Sequence, residues 1–236
     1  MTVTGQEEPY IELKGVSKGY SIGGETISIF SDLNLTIARG DFVAVMGPSG
    51  SGKSTLLNML SGIDGPDAGE LRIGRNRLER MGENARSSWR AHHMGIVFQF
   101  YNLLPMLNTA DNVKLPLLLK PLSHKERRMR VDKALDLVGL AGRQTQYPAT
   151  MSGGQQQRVG IARAIVADPG LLLCDEPTGD LDRKSADDIL EMLRLLNREL
   201  NKTIVMVTHD LQAALSARRT LHLDKGEFIE QERSAQ

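Results

Sequence analysis

The stretch at residues 47–55, GPSGSGKST, combines glycine, serine and lysine in a pattern that could hold phosphate groups. Residues 47–54 match the phosphate-binding loop pattern G-x-x-x-x-G-K-[ST]. Glycines let consecutive backbone N–H groups curl around anionic oxygens, and the helix that follows directs its positive end at the same place. Lys53 is expected to reach the terminal phosphates of a nucleotide, and the Ser54 hydroxyl to bind Mg²⁺. The predicted nucleotide contacts in this stretch are Gly47, Pro48, Ser49, Gly50, Ser51, Gly52, Lys53, Ser54 and Thr55.

Two acidic residues, Asp175 and Glu176, end the apolar run LLLC at residues 171–174. A strand that ends in two acids at this place predicts that Asp175 lies beside the Mg²⁺ and that Glu176 lies nearer the γ-phosphate. A carboxylate there can orient an attacking water or accept its proton. The alternative is that both acids are ordinary polar residues at the end of a strand and have no role in metal binding or catalysis.

A second candidate anion site is the stretch MSGGQQQR at residues 151–158, directly ahead of a helical run at residues 159–167. A serine and two glycines at the start of a helix can bind an anion through backbone N–H groups. The chain therefore carries two phosphate sites of different kinds, and one triphosphate cannot easily use both within one molecule. The predicted contacts are Ser152, Gly153, Gly154 and Gln155.

The apolar runs next to these motifs predict the strands that position them. Residues 42–46 and 171–174 are short, continuous apolar runs, which are typical of strands buried on both faces of a sheet. The order of strands and helices predicts an α/β fold with a doubly wound, mostly parallel sheet, an antiparallel β layer from the early segments and a helical subdomain. Together with the phosphate loop, this indicates a fold of the P-loop NTPase type. Further strands are predicted at residues 10–14, 33–37, 69–74, 96–98 and 203–207, with a hairpin at 221–229 that turns at Lys225-Gly226.

Helices are predicted from capping signals and periodicity. Residues 123–126, SHKE, form a capping box that opens a helix, and Gly139 ends it. A second helix is predicted at residues 184–201, and His209 is expected to open a third. The inward-facing residues are predicted to be Val131, Leu135 and Val138 in the first helix, and Ile189, Met192, Leu193, Leu196 and Leu200 in the second. We expect residues 1–236 to form a single domain with a helical subdomain at residues 100–165.

Composition excludes several classes of partner and site. The 236 residues contain 29 Lys plus Arg and 29 Asp plus Glu, so the formal net charge of zero gives no sign of a nucleic-acid partner. Cys174 is the only cysteine and lies in an apolar run, which indicates a buried side chain in a reducing compartment. The start MTVTGQEEPY lacks a secretory signal, and no run reaches the roughly 20 apolar residues that span a bilayer. His92 and His93 would point to opposite faces of a strand, which argues against a metal site.

The motifs together resemble a known family. The phosphate loop, the SGGQ stretch at residues 152–155, the acidic pair, Gln99, residues 179–182 (GDLD) and His209 are similar to those of the ATP-binding cassette ATPases, over about residues 10–230. This resemblance implies ATP and Mg²⁺ as cofactors and hydrolysis of ATP to ADP and phosphate. It also implies a head-to-tail dimer of two copies, in which the loop of one and the SGGQ stretch of the other enclose the same ATP.

The resemblance also assigns roles to single residues. Tyr20 is expected to stack on adenine, and Gln99 to sense Mg²⁺ and the attacking water. His209 is expected to contact the γ-phosphate, and Asp182 to couple the two sites across the interface. The implied catalytic residues are Glu176, His209, Lys53 and Gln99, and the implied metal ligands are Ser54, Gln99 and Asp175. Met151 departs from the leucine usual before this stretch, which is an exchange of similar volume.

Other stretches resemble one group within this family, which includes MacB, LolD and FtsE. They are residues 98–105 (FQFYNLLP), residues 112–116 (NVKLP) and Tyr147-Pro148. The resemblance implies a subunit that powers a separate membrane permease for export, lipoprotein release or cell-envelope remodelling. Residues 100–120 would contact a cytoplasmic helix of that permease. The protein would then be cytoplasmic and peripheral on the inner face of the cell membrane.

Two alternatives stay open at this point. A cassette ATPase without a transporter, such as an iron–sulfur cluster assembly ATPase, fits the length of the chain, and only the pattern at residues 100–116 speaks against it. A P-loop kinase or GTPase would leave residues 152–155 unexplained.

Overall fold

The computed structural model describes residues 9–229. Residues 1–8 of the lead expected at the N-terminus, and residue 230 at the end of the family resemblance, lie outside the described residues. None of the helices within residues 9–229 is long and apolar enough to cross a bilayer.

A six-stranded sheet forms the centre of the fold, in the order β10-β9-β3-β8-β7-β6. Neighbouring strands from β9 to β6 are parallel, and β10 pairs with β9 in the antiparallel sense. The strands are β3 (Phe42–Met46), β6 (Met94–Val97), β7 (Leu171–Asp175), β8 (Thr203–Val207), β9 (Arg219–Asp224) and β10 (Glu227–Ile229). β9 and β10 form the predicted hairpin, because Lys225 and Gly226 both adopt positive φ in the turn.

The central strands are apolar throughout because both faces of this sheet are covered. All five residues of β3 are buried. Val43 and Val45 point into one core, whereas Phe42, Ala44 and Met46 point into the other. Helices and a second sheet therefore shield the central sheet from water on both sides.

A four-stranded antiparallel sheet covers one face, in the order β2-β1-β4-β5. The edge strand β2 (Glu25–Ile37) alternates near its end between buried Leu33, Leu35 and Ile37 and the exposed residues between them. This alternation is expected for a sheet with one face in solvent. The helix α1 (Lys53–Leu60) fills the space beneath it with Leu56, Met59 and Leu60. The strands are β1 (Ile11–Ile22), β2 (Glu25–Ile37), β4 (Ala68–Ile73) and β5 (Asn76–Arg77).

Helices cover the opposite face of the central sheet. Val113, Val131, Leu135 and Ile161 pack there in one core with Phe42 and other sheet residues. Short 3-10 helices occur at Leu78–Arg80, Leu115–Leu119 and Pro148–Thr150. The α-helices other than α1 are α2 (Glu83–His93), α3 (Thr109–Lys114), α4 (His124–Leu137), α5 (Gly153–Ile165), α6 (Arg183–Leu200) and α7 (Leu211–Ala214).

The predicted fold class is confirmed, as is the capping box of Ser123 and Glu126 at the start of α4. Three local predictions are wrong. His92 and His93 end the helix α2 rather than lying on a strand. The helix expected to open at His209 begins at Leu211, because the Asp210 side chain supplies the cap. Leu200 is 43% exposed, and it is the last residue of α6, where the helix ends.

Candidate active site

The phosphate loop, residues 47–54, joins the carboxyl end of β3 to α1. Gly52 adopts φ 102° and is the residue from which α1 begins. A Cβ at Gly52 would come within 2.8 Å of the Phe30 ring. A Cβ at Gly47 would overlap the backbone carbonyl of Leu223. Glycine is therefore required at both ends of the loop by close approach, and at Gly52 also by its left-handed backbone.

The Lys53 side chain folds back over this loop. Its Nζ donates to the carbonyl oxygens of Gly47 and Pro48, both at 2.8 Å. Ser54 is exposed, whereas the buried Ser51 hydroxyl has no hydrogen-bond partner within residues 9–229. A glycine-rich backbone, an ammonium group fixed beside it and an unpartnered hydroxyl make a cradle that fits a phosphate group.

Asp175 ends β7, close to both Glu176 and Lys53. Burial raises the pKa of the Asp175 carboxyl and the neighbouring Glu176 raises it further, whereas Lys53 lowers it. Two adjacent carboxyl groups of this kind favour a bound cation. No cluster of three or more His, Cys, Asp or Glu side chains that could hold a metal occurs in the described part of the chain. The residues present fit a Mg²⁺ held by Asp175, the Ser54 hydroxyl and phosphate oxygens, since this ion commonly uses one or two carboxylates and completes its shell with phosphates and water.

Glu176 has an unusual backbone that fixes its side chain. Its φ is 48°, in the left-handed region that non-glycine residues rarely occupy. Its N–H donates to the Val207 carbonyl at 2.9 Å, and its carbonyl accepts from the Gly179 N–H at 3.0 Å. These two bonds hold the strained residue in place. Its Oε2 lies 2.5 Å from Nδ1 of His209.

Gln99 borders the same turn as Glu176. A Cβ at Gly179 would lie 2.9 Å from Gln99 Nε2, so the Gln99 amide packs directly against Gly179. Because β3, β6, β7 and β8 are parallel, their carboxyl ends meet at one edge of the sheet, where ligands of such folds bind. That edge brings together the phosphate loop, Gln99, Asp175, Glu176 and His209.

Tyr20 lies on β1 and is anchored next to α1. Its hydroxyl donates to Asp64 Oδ2 at 2.8 Å. Burial first, and then the hydrogen bond to Asp64, raise the pKa of Tyr20. The Lys18 ammonium lies 5.1 Å from the centre of the tyrosine ring. The aromatic ring is thus fixed beside the helix that follows the phosphate loop.

The second anion site, residues 152–155, forms the start of α5 and is called the signature from here on. Ser152 Oγ accepts from the Gln155 N–H at 3.3 Å, and Gln155 Oε1 accepts from the Ser152 N–H at 3.0 Å. A Cβ at Gly153 would lie 2.8 Å from the Tyr101 hydroxyl, and one at Gly154 would lie 2.9 Å from Ser185 Oγ. Within residues 9–229 no hydrogen bond joins the signature to the phosphate loop. The phosphate loop and the signature are therefore two separate helix starts, and each is a candidate anion site.

Residues 30–179 match the family model described as ABC transporter. The chain belongs to the ABC transporter family. It is 43% identical over 221 residues to the lipoprotein-releasing system ATP-binding protein LolD of Acinetobacter baylyi, covering 93% of this chain and 97% of that protein. It is 42% identical over 228 residues to the macrolide export ATP-binding/permease protein MacB of Sodalis glossinidius, covering 97% of this chain but only 35% of that longer protein.

A solved structure of an ABC cassette has the same fold. The cassette MJ0796, a protein of Methanocaldococcus jannaschii, was solved as a dimer in a post-hydrolysis state with bound ADP and Pi. It superposes with a TM-score of 0.86 at 40% identity, covering 96% of this chain and 99% of that one. The predicted family and fold are confirmed by these matches.

Several residues around the ABC motifs were not predicted from the sequence. Asp64 holds Tyr20, the Tyr101 hydroxyl donates to the Asp180 carboxylate at 3.2 Å, and Ser185 donates to Asp182 at 2.6 Å. Gln157 is fully buried on α5. For Gln157 a signal existed, because it lies four residues before Ile161 on the apolar face of that helix. Asp64 and Tyr101 bond residues that are distant in sequence, so no local pattern marks these pairs. Ser185 is one exposed polar residue among several and gave no signal of its own.

His92 and His93 take no part in this site. They border a separate cavity of about 480 Å³ that Trp89, Arg39 and Arg75 also line. The His92 Nδ1 is already paired with the Ser88 carbonyl at 2.8 Å.

Proposed function

We propose that this protein is the ATP-hydrolysing, nucleotide-binding subunit of an ABC transporter, and that it powers a separate membrane permease. It binds ATP and hydrolyses it to ADP and phosphate. The observation that carries the proposal is the pair of separate glycine-containing helix starts, one at the phosphate loop and one at the signature. Two copies related by a two-fold axis would place one of each kind around every ATP.

The proposal assigns these roles to the site residues. The loop and Lys53 bind the phosphates, Ser54, Asp175 and Gln99 are placed to hold Mg²⁺ and its water, and Tyr20 presents a ring for adenine. Bound Mg²⁺ would neutralise charge on the phosphates. Glu176 orients the attacking water and accepts its proton, while His209 contacts the γ-phosphate and the Glu176 carboxylate. Ser152, Gly153, Gly154 and Gln155 of the partner protomer complete the pocket.

The chain forms a single domain in this proposal, with residues 100–165 as its helical subdomain. That subdomain carries the surface for the permease. Five large apolar side chains are exposed along residues 100–119, and a group of this kind is a candidate interaction surface. They are Phe100, Leu104, Met106, Leu118 and Leu119, and we call this set the apolar segment. A cytoplasmic helix of the permease would cover it, which would hold the protein at the inner face of the membrane.

The relatives favour a transporter of lipoprotein-release or export type. LolD is named as part of a lipoprotein-releasing system and MacB as a macrolide exporter. The relatives reported above give no support to the iron–sulfur cluster alternative. The cargo here belongs to the same broad class, an amphiphile or a lipoprotein handled at the membrane.

Isolation from native membranes tests this proposal. The tagged protein should copurify with an integral membrane protein, and Leu119→Glu should lower the recovered amount about 10-fold or more, because a buried charge without a partner is costly. Leu137→Glu is the matched control, since Leu137 is another exposed leucine, outside the apolar segment. Recovery of the protein without any membrane partner, or equal loss in both variants, would contradict the proposal.

A further inference from the structure

Gln157 connects the signature helix to the two residues that act on ATP. Its side chain is fully buried on α5, two residues after the signature. The Nε2 amide donates to the Phe98 carbonyl at 3.1 Å and to the Pro177 carbonyl at 2.5 Å. Phe98 directly precedes Gln99, and Pro177 directly follows Glu176. One buried amide therefore holds the backbone beside both residues.

The same helix holds the chain on the other side of Gln99. Arg163, further along α5, donates to the Tyr101 carbonyl at 2.7 Å and to the Asn102 carbonyl at 2.5 Å. Tyr101 and Asn102 are both left-handed, with φ 58° and 48°. Such residues persist only where their surroundings fix them. The segment that contains Gln99 is thus bonded to α5 before and after Gln99.

We propose that Gln157 couples the two nucleotide sites of the dimer. The inference rests on the proposed function, in which the signature of one protomer binds the ATP held by its partner. A shift of α5 on binding that ATP would move Gln157, and through it the backbone at Phe98 and Pro177. Gln99 and Glu176 would then be repositioned on the protomer's own ATP. Gln157 touches neither the nucleotide nor the attacking water, so it is a positioning residue.

The chemistry of the contact requires a glutamine. Both partners of Nε2 are carbonyl oxygens, so the side chain must donate two hydrogen bonds at once. Methionine has a similar length but no hydrogen-bond donor, so it fills the space and loses both bonds to the Phe98 and Pro177 carbonyls. A glutamate carboxylate would face two carbonyl oxygens and repel them, and it could donate one bond only when protonated.

Asn197 offers a matched control for a merely structural role. It is a buried amide on α6, and its Nδ2 donates to the carbonyls of Gly40 and Lys202, both at 2.8 Å. Neither partner belongs to the nucleotide site. Asn197→Leu and Gln157→Met should therefore lose the same number of buried hydrogen bonds and lower Tm by similar amounts.

The test uses the full chain and measures ATP affinity by equilibrium binding, and kcat and the Hill coefficient by steady-state hydrolysis. Gln157→Met should lower kcat about 10-fold to 100-fold and bring the Hill coefficient towards one, with the ATP Kd changed less than about 2-fold. Asn197→Leu should keep the kcat and the Hill coefficient of the parent. Parent-like kcat and cooperativity in Gln157→Met, or a parent Hill coefficient of one, would overturn the inference.

Gln157→Glu keeps the test decisive if the methionine variant does not fold. A buried carboxyl without a cation has a raised pKa, and once protonated it can donate one hydrogen bond. The kcat of Gln157→Glu relative to that of the parent should therefore rise as the pH falls from about 8 to about 6. A flat ratio would also overturn the inference. If the parent itself neither dimerises nor hydrolyses ATP, the proposed function fails, which is a different result from the loss of coupling alone.

Discussion

His209 Nδ1 lies 2.5 Å from Glu176 Oε2, so the imidazole and the carboxylate form one unit at the end of two neighbouring strands. The Glu176 side chain is only 17% exposed, whereas the His209 side chain is 70% exposed. The backbone of Glu176 is held in a left-handed conformation by the Val207 carbonyl and the Gly179 N–H. The Glu176 carboxylate is therefore held by its backbone and by His209, while most of the His209 side chain stays open to solvent.

Glu176→Gln tests the role of this carboxylate. The amide oxygen of glutamine can still accept from His209, so the site keeps its shape but loses its proton acceptor. We expect the variant to bind ATP and to dimerise, with kcat lowered about 100-fold or more. Hydrolysis assays and light scattering with ATP would measure both effects. Turnover at the parent rate would refute the role assigned to Glu176.

A mixture of two inactive chains tests the shared site. In a dimer of one Lys53→Ala chain and one Gly154→Asp chain, one site carries both changes and the other carries neither. We expect each variant alone to be nearly inactive. The mixture should recover ATPase activity, at most that of one intact site per mixed dimer. Activity of either variant alone at the parent rate as a monomer would rule out a shared site.

The Gly154→Asp chain needs its own folding control. A Cβ at Gly154 lies 2.9 Å from Ser185 Oγ, and Ser185 also hydrogen-bonds Asp182. The hydroxyl can rotate away, but Ser185 Cβ, at 3.1 Å, must shift by a few tenths of an ångström. A Tm close to that of the parent would show that the lost activity comes from the signature and not from unfolding.

The elements around the nucleotide motifs were predictable because the signal was local. The runs at residues 42–46, 171–174 and 204–207 are apolar without interruption, which is typical of strands covered on both faces. Glycine spacing in the phosphate loop likewise reflects close approaches that the structure shows at Gly47 and Gly52. Local sequence patterns therefore sufficed for the fold class and for the position of the loop.

The contacts that position the site were not predictable in the same way. Gln157 bonds Phe98, 59 residues away, and Tyr20 bonds Asp64, 44 residues away. No local pattern reports such pairs. The error at His92 and His93 has a different cause. The helix α2 buries only Trp89, so it lacks the apolar stripe that indicates a helix.

Asp175→Asn tests the need for a cation at the acidic pair. Burial and Glu176 raise the pKa of Asp175 in the folded protein, so its ionised form costs stability at pH values above its unfolded pKa. Without nucleotide the variant should gain about 1–2 °C in Tm, a small gain because the group is partly exposed and screened by water. The gain should become smaller as the pH falls towards the raised pKa of Asp175, because protonation removes the cost of burying the charge.

The same variant should lose its response to Mg²⁺. ATP with Mg²⁺ should raise the Tm of the parent more than ATP with a chelator, whereas Asp175→Asn should show little difference between the two conditions. A variant that is less stable without ligands, or that keeps the full Mg²⁺ effect, would argue against Asp175 as a metal ligand.

Tyr20→Phe and Tyr20→Ala separate the two functions of this residue. Phenylalanine keeps the ring but loses the 2.8 Å bond to Asp64, so it should lower the free energy of unfolding by about 0.5–1.5 kcal/mol and leave the ATP Kd nearly unchanged. Alanine also removes the stacking surface, and should raise the ATP Kd about 10-fold to 100-fold. Titration with ATP and chemical denaturation would measure the two quantities. Equal ATP affinity in both variants would show that the Tyr20 ring does not stack on adenine and serves only to hold β1 against α1.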